Sequence, residues 1–518
     1  MKHAETDKAM NMNENAFPGR SQLADSRFAL VGLVIMGLLV CVAAISTQSY
    51  WIDEAGTAWK AAQPTLPDWW RAMRAEGNAN LQLPFYLLFA WAWEKLAGLD
   101  EFSLRAGNAL WFLLGLVTLA RALTQTPLQR WGVSLALLFS PFAWYYLNEA
   151  RPYAMQLGAS CIVFAALYQL GQGPKESSLR ERLWVIIFCL GSLLLAASGM
   201  LAMLWLAAYW GGAILSAPKK YLQRLAGDYW ACWAPTLALL FALGLFYLWT
   251  LSIGARATKA GTTDVKNVFF IFYELLGFTG LGPGRLEIRN GGFSAFRHWL
   301  PWLAIYGMIL LLVLVRGCQQ IIMTVSRRTW ISWLIAFVLV MGFILAVGVV
   351  VQFRVLGRHC TPMLPLILFV QGIGLASWLK QDKWLWRLVA VLFLGMNLVS
   401  DASVRFGERH AKDDYRDAAM LGREALAHGE SVWWSADIQG AWVYHLPVTE
   451  PPATTNAAVF LVNPETGSLQ TLPTPDLVLV SKPDLYDGQG AIQHYLTQNN
   501  YRVVQKFPAF TVWRRQNN

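Results

Sequence analysis

The chain has 518 residues, of which 56% are hydrophobic and only 14% are charged, and its formal net charge is +10. Soluble globular domains carry about 25% charged residues, so this composition excludes an ordinary soluble enzyme. The positive charge does not indicate a nucleic-acid-binding protein, because the Lys and Arg residues lie mainly in short connectors between apolar blocks and form no basic stripe. The six cysteines show no metal-ligand spacing and predict neither a disulfide framework nor a zinc site.

Behind a polar N-terminal tail, residues 1–27, the apolar residues form long blocks. A helix of about 20 residues crosses the hydrocarbon core of a bilayer, and lipid offers no hydrogen-bond partners to a backbone in any other open conformation. The sequence therefore predicts a polytopic α-helical membrane protein with about 11–13 transmembrane helices over residues 28–400. The blocks are 28–46, 82–97, 102–120, 131–147, 152–170, 184–199, 200–216, 230–251, 299–316, 330–351, 361–379 and 386–400.

The connectors predict the orientation of these helices, since cytoplasmic connectors of membrane proteins are enriched in Lys and Arg. The basic connectors are 121–130, 175–182, 219–224, 316–328 and 380–387. The N-terminal tail and these connectors are therefore expected in the cytoplasm. The connectors 47–81, 148–151, 198–200, 252–298 and 352–360, and everything after about residue 401, are then expected on the outer face.

One stretch leaves two alternatives open. Only one helix can cross between the outer loop 47–81 and the inner connector 121–130, yet two apolar blocks, 82–97 and 102–120, lie there. The first is short and contains Glu94 and Lys95, which favours a partly inserted or re-entrant segment. The other interpretation places the N-terminus outside and loop 47–81 inside, and hydropathy alone does not choose between them.

Two adjacent carboxylates, Asp53 and Glu54, directly follow the first helix and are preceded by the aromatic residues Tyr50 and Trp51. Charged groups at the membrane face are energetically costly unless they have a function or a partner. The alternative is a structural role, because Asp and Glu also stabilise the first turn of a helix.

Three further polar places interrupt the apolar pattern. The turn 148–153 contains Glu149 and Arg151, which could also form a structural salt bridge. The stretch 354–362 contains Arg358 and His359, and its alternative is an arginine that extends towards the membrane surface. The outer loop 252–298 is longer than ordinary connectors, and such loops are often functional; it contains Arg256, Lys259, Glu274, Arg285 and Arg289.

The order of these motifs resembles that of the C-type (GT-C) polyprenyl-phosphate-sugar-dependent glycosyltransferases, which include protein mannosyltransferases and the lipid A aminoarabinose transferase. The resemblance covers about residues 30–400. The motifs are Asp53-Glu54 after the first helix, Pro84-Phe85-Tyr86 at the start of a later block, Glu149-Ala150-Arg151-Pro152-Tyr153 and Arg358-His359-Cys360-Thr361-Pro362. The family commonly has His-Pro-Pro-Leu-Tyr where this chain has Gln82-Leu83-Pro84-Phe85-Tyr86, so a histidine is missing here.

The resemblance implies that Asp53 is the catalytic acidic residue and faces outwards, which favours a re-entrant 82–97. It also implies that Arg358 lies on the side of the lipid phosphate, and that the protein resides in a bacterial inner membrane. The expected partners are a polyprenyl-phosphate sugar donor, membrane lipids and an acceptor that is a glycan, a lipid or a protein, with no nucleic acid.

The chemistry of such a transfer agrees with these residues. A phosphate leaves as an anion without an acid, but needs cations to hold its charge, and Arg offers a planar fork for this. The acceptor hydroxyl needs one base, which a carboxylate can supply. The simplest mechanism is an inverting single displacement. The predicted site comprises Asp53 and Glu54 as catalytic residues, Arg151, Arg358, Arg256 and Arg289 for the donor phosphate, and Glu149, Tyr153, Tyr86 and His359 for substrate.

A divalent metal between Asp53 and Glu149 is a second interpretation, but neither a histidine nor an Asp-x-Asp motif accompanies the two carboxylates. The competing functional class is a transporter, flippase or polymerase of a lipid-linked glycan. A transporter is expected to have inverted repeats or polar residues at mid-membrane, whereas the polar residues here lie at the ends of the apolar blocks.

After residue 400 the chain becomes polar. A helix-like run at 413–428 precedes short β-type runs at 431–435, 458–462, 477–480, 502–507 and 510–513, which are separated by Pro-rich turns. Residues 401–518 are therefore predicted to form a small α/β domain on the extracytoplasmic side.

Overall fold

The computed structural model describes residues 20–77, 79–123, 126–173, 178–254, 262–449, 458–464 and 469–516, without the side chains of residues 20–27, 76 and 290. Up to residue 406 the regular structure is helical. The helices are α1 (Arg20–Ala44), α2 (Ile52–Ala61), α3 (Leu66–Glu76), α4 (Pro84–Ala97), α5 (Glu101–Ala122), α6 (Pro127–Leu138), α7 (Pro141–Leu147), α8 (Tyr153–Gly171), α9 (Ser178–Ala197), α10 (Met200–Leu204), α11 (Leu206–Ser216), α12 (Lys219–Asp228), α13 (Trp230–Ser252), α14 (Val265–Leu275), α15 (Arg285–Gly291), α16 (Leu300–Thr324), α17 (Arg327–Val350), α18 (Leu364–Leu379) and α19 (Trp384–Phe406).

Seven helices among the described residues are long and apolar enough to cross a membrane, or up to eight if a bent pair around residue 217 is one span. They are α5, α8, α13, α16, α17, α18 with the 3-10 turn before it, and α19. The predicted polytopic α-helical membrane protein is therefore confirmed. The higher predicted number also counted shorter helices, such as the apolar segment Phe28–Ala44 of α1.

Two of the predicted spans are divided. The block 131–147 becomes α6 and α7, because the side chain of Ser140 accepts a hydrogen bond from the backbone N–H of Ala143 (3.4 Å) and Pro141 occupies the first turn of α7. A capping serine followed by a proline is a strong signal for a new helix start. The block 200–216 likewise divides into α10 and α11.

Helix α8 lies at the centre of the membrane domain and is buried along most of its length. It crosses α5 so closely that a Cβ on Gly158 would lie 2.2 Å from the carbonyl oxygen of Trp111. Only glycine fits at such a crossing, and the N-terminal half of α8 is thereby fixed against α5. The first residue of α8 is Tyr153, one of the predicted substrate-binding residues.

The predicted outer loops contain helices of their own. Loop 47–81 contains α2 and α3, and loop 252–298 contains α14, α15 and the 3-10 turns Thr279–Leu281 and Gly292–Phe296. Helix α4, the predicted partly inserted segment, has 14 residues. Its length of about 21 Å is shorter than the hydrocarbon core of roughly 30 Å, which agrees with partial insertion.

The C-terminal α/β domain is confirmed, and each predicted strand lies within a residue or two of an observed one. Its sheet has the order β2-β1-β3-β5-β4, in which β1 pairs in parallel with β2 and β3, while β5 pairs antiparallel with β3 and β4. Its elements are α20 (Tyr415–Ala427), β1 (Val432–Ser435), α21 (Ile438–Val443), β2 (Val459–Leu461), β3 (Leu477–Ser481), α22 (Pro483–Tyr486), α23 (Ala491–Gln498), β4 (Tyr501–Phe507) and β5 (Phe510–Arg515).

This domain packs on the predicted outer loop 47–81. The ring of Trp442 on α21 lies 5.5 Å from that of Trp59 on α2. The hydroxyl of Tyr444 accepts a hydrogen bond from the backbone N–H of Tyr50 (2.8 Å) and donates one to Glu101 (2.8 Å). The domain therefore covers the residues that follow the first helix.

The orientation can be tested by single-cysteine labelling in a cysteine-free background. Gln505, exposed on β4, and Lys383, exposed between α18 and α19, are suitable positions. We expect Gln505→Cys to react with a membrane-impermeant maleimide in intact cells and Lys383→Cys to react only after permeabilisation, because basic connectors face the cytoplasm. The reverse pattern would place the C-terminal domain in the cytoplasm and contradict the predicted topology.

Candidate active site

Asp53 and Glu54 lie in the first turn of α2 but point into different environments. Successive residues of a helix are about 100° apart around its axis. The side chain of Asp53 is 32% exposed, whereas that of Glu54 is fully buried. The two adjacent carboxylates can therefore serve different purposes.

Glu54 is the centre of a buried ionic cluster that also contains Arg105 and Lys412, here called the Glu54 cluster. The Nε and Nη2 atoms of Arg105 each donate to one carboxylate oxygen of Glu54 (both 2.8 Å). Lys412, from the linker before the C-terminal domain, donates to the same carboxylate (2.8 Å). The backbone N–H of Ala150 adds a further hydrogen bond (2.7 Å). Every polar atom of this carboxylate is therefore engaged, which favours a structural role over the predicted catalytic one.

The electrostatics of the Glu54 cluster follow from its burial. Burial alone would raise the pKa of Glu54, but the charges and hydrogen bonds of Arg105 and Lys412 outweigh it and lower the pKa to about 2. Burial also lowers the pKa of Lys412, to about 8, with a further contribution from Arg105. Glu54 is thus ionised at neutral pH.

Asp53 contacts the two arginines that the sequence predicted for the donor phosphate. Its Oδ2 atom lies 3.3 Å from Nη1 of Arg358. Nη1 of Arg151 donates to the backbone carbonyl of Asp53 (3.2 Å) and to the side chains of Thr57 (3.3 Å) and Asn80 (3.2 Å). We call Asp53, Arg151 and Arg358 the Asp53 site. The structure brings these three residues together from α2, the turn before α8, and the 3-10 turn Gly357–Met363.

Aromatic rings surround the guanidinium of Arg358. Its central carbon lies 5.9 Å from the ring centre of Trp51 and 5.8 Å from that of Tyr153. The ammonium of Lys482, from the C-terminal domain, lies 5.7 Å from the Trp51 ring. The domain therefore adds Lys482, which is ion-paired with Asp413, to the wall of the site.

A second group of charges adjoins the Asp53 site. Nη1 of Arg285 lies 3.6 Å from Glu149, and its Nη2 donates to Glu274 (3.2 Å) and to the hydroxyl of Tyr146 (2.9 Å). Its guanidinium also lies 4.1 Å from the ring centre of Tyr145. Burial raises the pKa of Glu149 despite the nearby charges of Arg285 and Lys412.

Several buried polar atoms in these two groups have no hydrogen-bond partner. Buried polar groups are nearly always paired, so a cluster of exceptions indicates a place where a ligand or water binds. Among the described residues, the unpaired atoms here are both carboxylate oxygens of Glu149, Oε2 of Glu274, Nε of Arg151, Nε of Arg358 and Nε1 of Trp51. These unpaired atoms include both donors and acceptors.

The other predicted site residues lie in varied places. Tyr86 is buried on α4, and Nδ1 of His359 accepts a hydrogen bond from the backbone N–H of Leu356 (3.0 Å), which closes a 3-10 turn. Arg289 forms an ion pair with Asp484 of the C-terminal domain, at an exposed position. Arg256 lies outside the described residues.

Four cations in and around the Asp53 site are absent from the predicted set: Arg105 and Lys412 of the Glu54 cluster, Arg285 and Lys482. Arg285 was visible in the outer loop beside Arg289, but only the fold shows which of the two faces Glu149. Arg105 lies inside an apolar block, where a charged residue is costly and therefore a signal of function or pairing. In the described part of the chain, no group of three or more His, Cys, Asp or Glu side chains is placed to hold a metal ion.

Comparisons with known proteins establish the fold. No protein-family model matches the chain, and no curated protein sequence matches it. The structure is similar to that of ArnT from Cupriavidus metallidurans in the apo state, with 14% identity, a TM-score of 0.50 and coverage of 93% of this chain and 97% of that one. The protein therefore has a GT-C-type fold, as the resemblance predicted, and is an integral multi-pass membrane protein.

Two further solved structures are similar to a lesser degree. ArnT from Cupriavidus metallidurans bound to undecaprenyl phosphate has 15% identity, a TM-score of 0.49 and coverage of 93% of this chain and 97% of that one. The arabinofuranosyltransferase AftD from mycobacteria has 15% identity and a TM-score of 0.48; the match covers 95% of this chain and 42% of AftD.

The Glu54 cluster generates a stability prediction. Glu54→Gln removes the charge that compensates two buried cations, and breaking a buried ion pair costs about 3–5 kcal/mol of folding free energy. We expect a clearly lower melting temperature in detergent. The adjacent Asp53→Asn is the matched control and should melt near the wild type, because Asp53 is partly exposed. Equal melting temperatures of Glu54→Gln and wild type would contradict the structural role.

The same cluster predicts a pH dependence. The pKa of Glu54 is lowered on folding from 4.5 to about 2, so its contribution is present above pH 4.5 and is lost as the pH falls towards 2. We expect the melting temperature of the wild type to fall over this range. The melting temperature of Glu54→Gln should fall less over the same range, since it lacks this titration.

Proposed function

We propose that this protein is a glycosyltransferase that moves a sugar from a polyprenyl-phosphate donor to an acceptor at the outer face of the membrane. The observation that carries the proposal is the 3.3 Å contact between the carboxylate of Asp53 and the guanidinium of Arg358, with Arg151 bonded to the same turn. In this proposal Asp53 is the base, and Arg151 and Arg358 bind the donor phosphate. The GT-C fold shared with ArnT supports the same class of reaction.

The arginines suit the phosphate of the donor. Arg151 and Arg358 are largely buried, and each has an Nε–H without a hydrogen-bond partner among the described residues. An arginine fork binds phosphate oxygens in two parallel hydrogen bonds, which become stronger where water is excluded. A phosphate that binds to Arg358 would also replace Asp53 in its ion pair with this arginine. The carboxylate of Asp53 would then be able to accept a proton.

The reaction is a single displacement. The acceptor hydroxyl oxygen attacks the anomeric carbon, a new glycosidic bond forms, and the bond between that carbon and the phosphate oxygen breaks. The electron pair of the broken bond stays on the polyprenyl phosphate, whose added charge Arg358 and Arg151 hold. The hydroxyl proton passes to Asp53. Attack opposite the leaving phosphate inverts the anomeric configuration.

The second group of charges suits the sugar or the acceptor. The unpaired oxygens of Glu149 and Glu274 can accept hydrogen bonds from hydroxyl groups, and Arg285 can donate them. Tyr153 and Trp51 offer aromatic surface for a sugar ring. We propose that the acceptor, whether glycan, lipid or protein, binds between this group and the C-terminal domain. We also propose that the enzyme resides in a bacterial inner membrane and acts in cell-envelope or exopolysaccharide biosynthesis.

The role of Asp53 can be tested by Asp53→Asn. The amide keeps the shape of the side chain but cannot take the proton, so we expect sugar transfer from a synthetic polyprenyl-phosphate donor to fall by roughly 10²–10⁴-fold. Donor binding, measured separately by calorimetry, should persist because the cations remain. Transfer at the wild-type rate by a folded Asp53→Asn protein would remove Asp53 from the mechanism.

The role of the arginines can be tested by Arg358→Lys and Arg151→Lys. Lysine keeps the charge but loses the planar fork, so we expect weaker donor binding and slower transfer by each variant, with a melting temperature close to that of the wild type. Arg316→Lys is the matched control, because Arg316 lies on α16 and bonds to Ser377 (2.8 Å), away from the site. A loss of folded protein in step with activity would instead indicate a structural salt bridge.

A further inference from the structure

A large apolar groove lies at the end of the membrane domain opposite to the Asp53 site. Its volume is about 450 Å³, and it is enclosed by α8, α9, α11, α12 and α13. Tyr153, at the Asp53 site, begins α8, whereas Leu167 and Leu170 near the other end of α8 line the groove. The two places are thus about 25 Å apart along this helix.

The groove opens towards the lipid-facing surface. Ile214, Trp230 and Leu237 line it and are 56%, 67% and 51% exposed. The indole N–H groups of Trp210 and Trp233 are bonded to Ser192 (3.1 Å) and to the carbonyl of Leu225 (2.9 Å). The walls therefore present almost exclusively apolar surface to an occupant.

An ionic clamp, centred on Glu181, holds α12 against α9 beside the groove. The carboxylate of Glu181 on α9 accepts two hydrogen bonds from Arg224 (2.6 and 2.8 Å) and one each from the hydroxyls of Tyr221 (3.0 Å) and Tyr229 (3.1 Å). This carboxylate is nearly fully buried. The clamp fixes α12 so that its apolar face, which includes Leu222, lines the groove.

Three cations are close in sequence or by hydrogen bond to residues that line the groove, and we call them its cationic rim. Lys219 and Lys220, at the start of α12, are exposed. Arg328 at the start of α17 donates to the carbonyl of Leu215 (3.3 Å), next to the lining residue Ser216. An amphipathic helix with such cations is typical of a segment that lies on a membrane surface and attracts anionic lipid.

We propose that this groove is a binding site for one anionic phospholipid, with an acyl chain in the groove and the phosphate at Lys219, Lys220 and Arg328. The chemistry of the walls favours an acyl chain over an extended peptide segment. The backbone groups of such a segment would find no hydrogen-bond partner on the apolar walls, whereas an acyl chain needs none. The cationic rim selects an anionic headgroup over a zwitterionic one. The basic connectors 175–182 and 219–224 assign the site to the cytoplasmic leaflet.

The test is a lipid titration of delipidated, detergent-purified full-length protein, followed by native mass spectrometry. The probes are phosphatidylglycerol and phosphatidylcholine with identical acyl chains. We expect the wild type to bind phosphatidylglycerol more tightly. Lys219→Ser combined with Lys220→Ser should weaken phosphatidylglycerol binding about 10- to 30-fold, since each lysine near the surface contributes about a factor of five, and should leave phosphatidylcholine binding unchanged. Both lysines are on the surface, so this variant should fold normally.

Two further variants complete the test. Lys380→Ser combined with Lys383→Ser removes two lysines from another basic connector, which does not line the groove, and should retain wild-type binding. Ala213→Phe fills the groove and should weaken the binding of both lipids. The proposal is overturned if the Lys219 and Lys220 variant keeps the phosphatidylglycerol preference, if the Lys380 and Lys383 variant loses it equally, or if Ala213→Phe binds like the wild type. Sugar transfer is no part of this readout, so the result is independent of the proposed function.

Discussion

The buried pair of Glu54 and Arg105 fixes the geometry of the chain that follows the first helix. Two charges withdrawn from water are tolerated only where their hydrogen bonds are complete, and here Arg105 also donates to the carbonyls of Ser46 (2.8 Å), Gln48 (2.7 Å) and Ser49 (3.2 Å). The chain between the first helix and α2 is thereby held against α5. Since Asp53 is the neighbour of Glu54, its carboxylate is held beside Arg358. It remains partly exposed and is not part of the buried Glu54 cluster.

Much of the architecture could be predicted from the sequence. The apolar blocks and the β-type runs after residue 400 correspond to observed helices and strands, because hydrophobic patterning directly reflects what each segment must bury. The division of the block 131–147 into two helices could also have been predicted from the sequence, since Ser140-Pro141 is a helix-start signal inside an apolar block. The motif order also indicated which residues, Asp53, Arg151 and Arg358, would meet.

The rest depends on contacts between residues far apart in the chain. Glu54 and Asp53 look equivalent in the sequence, and only Arg105, 51 residues later, and Lys412, 358 residues later, make one of them a structural group. Arg285 and Arg289 are likewise similar in sequence. One turn of α15 separates them in space, so that Arg285 approaches Glu149 while Arg289 reaches Asp484 of the C-terminal domain. Which partner each of these two arginines reaches is decided by the packing of α15 against the rest of the structure.

The position of Lys412 in the chain has a consequence for biosynthesis. A ribosome makes Glu54 and Arg105 early, so these two can pair while the later helices are still being synthesised. Lys412 emerges only after α19, and until then the carbonyl of Asn148 and one oxygen of Glu54 lack the ammonium that joins them in the finished protein. The Glu54 cluster is thus completed by one of the last parts of the chain to be translated, and a nascent chain that stops before the linker leaves the turn at Asn148 without its bond to Lys412.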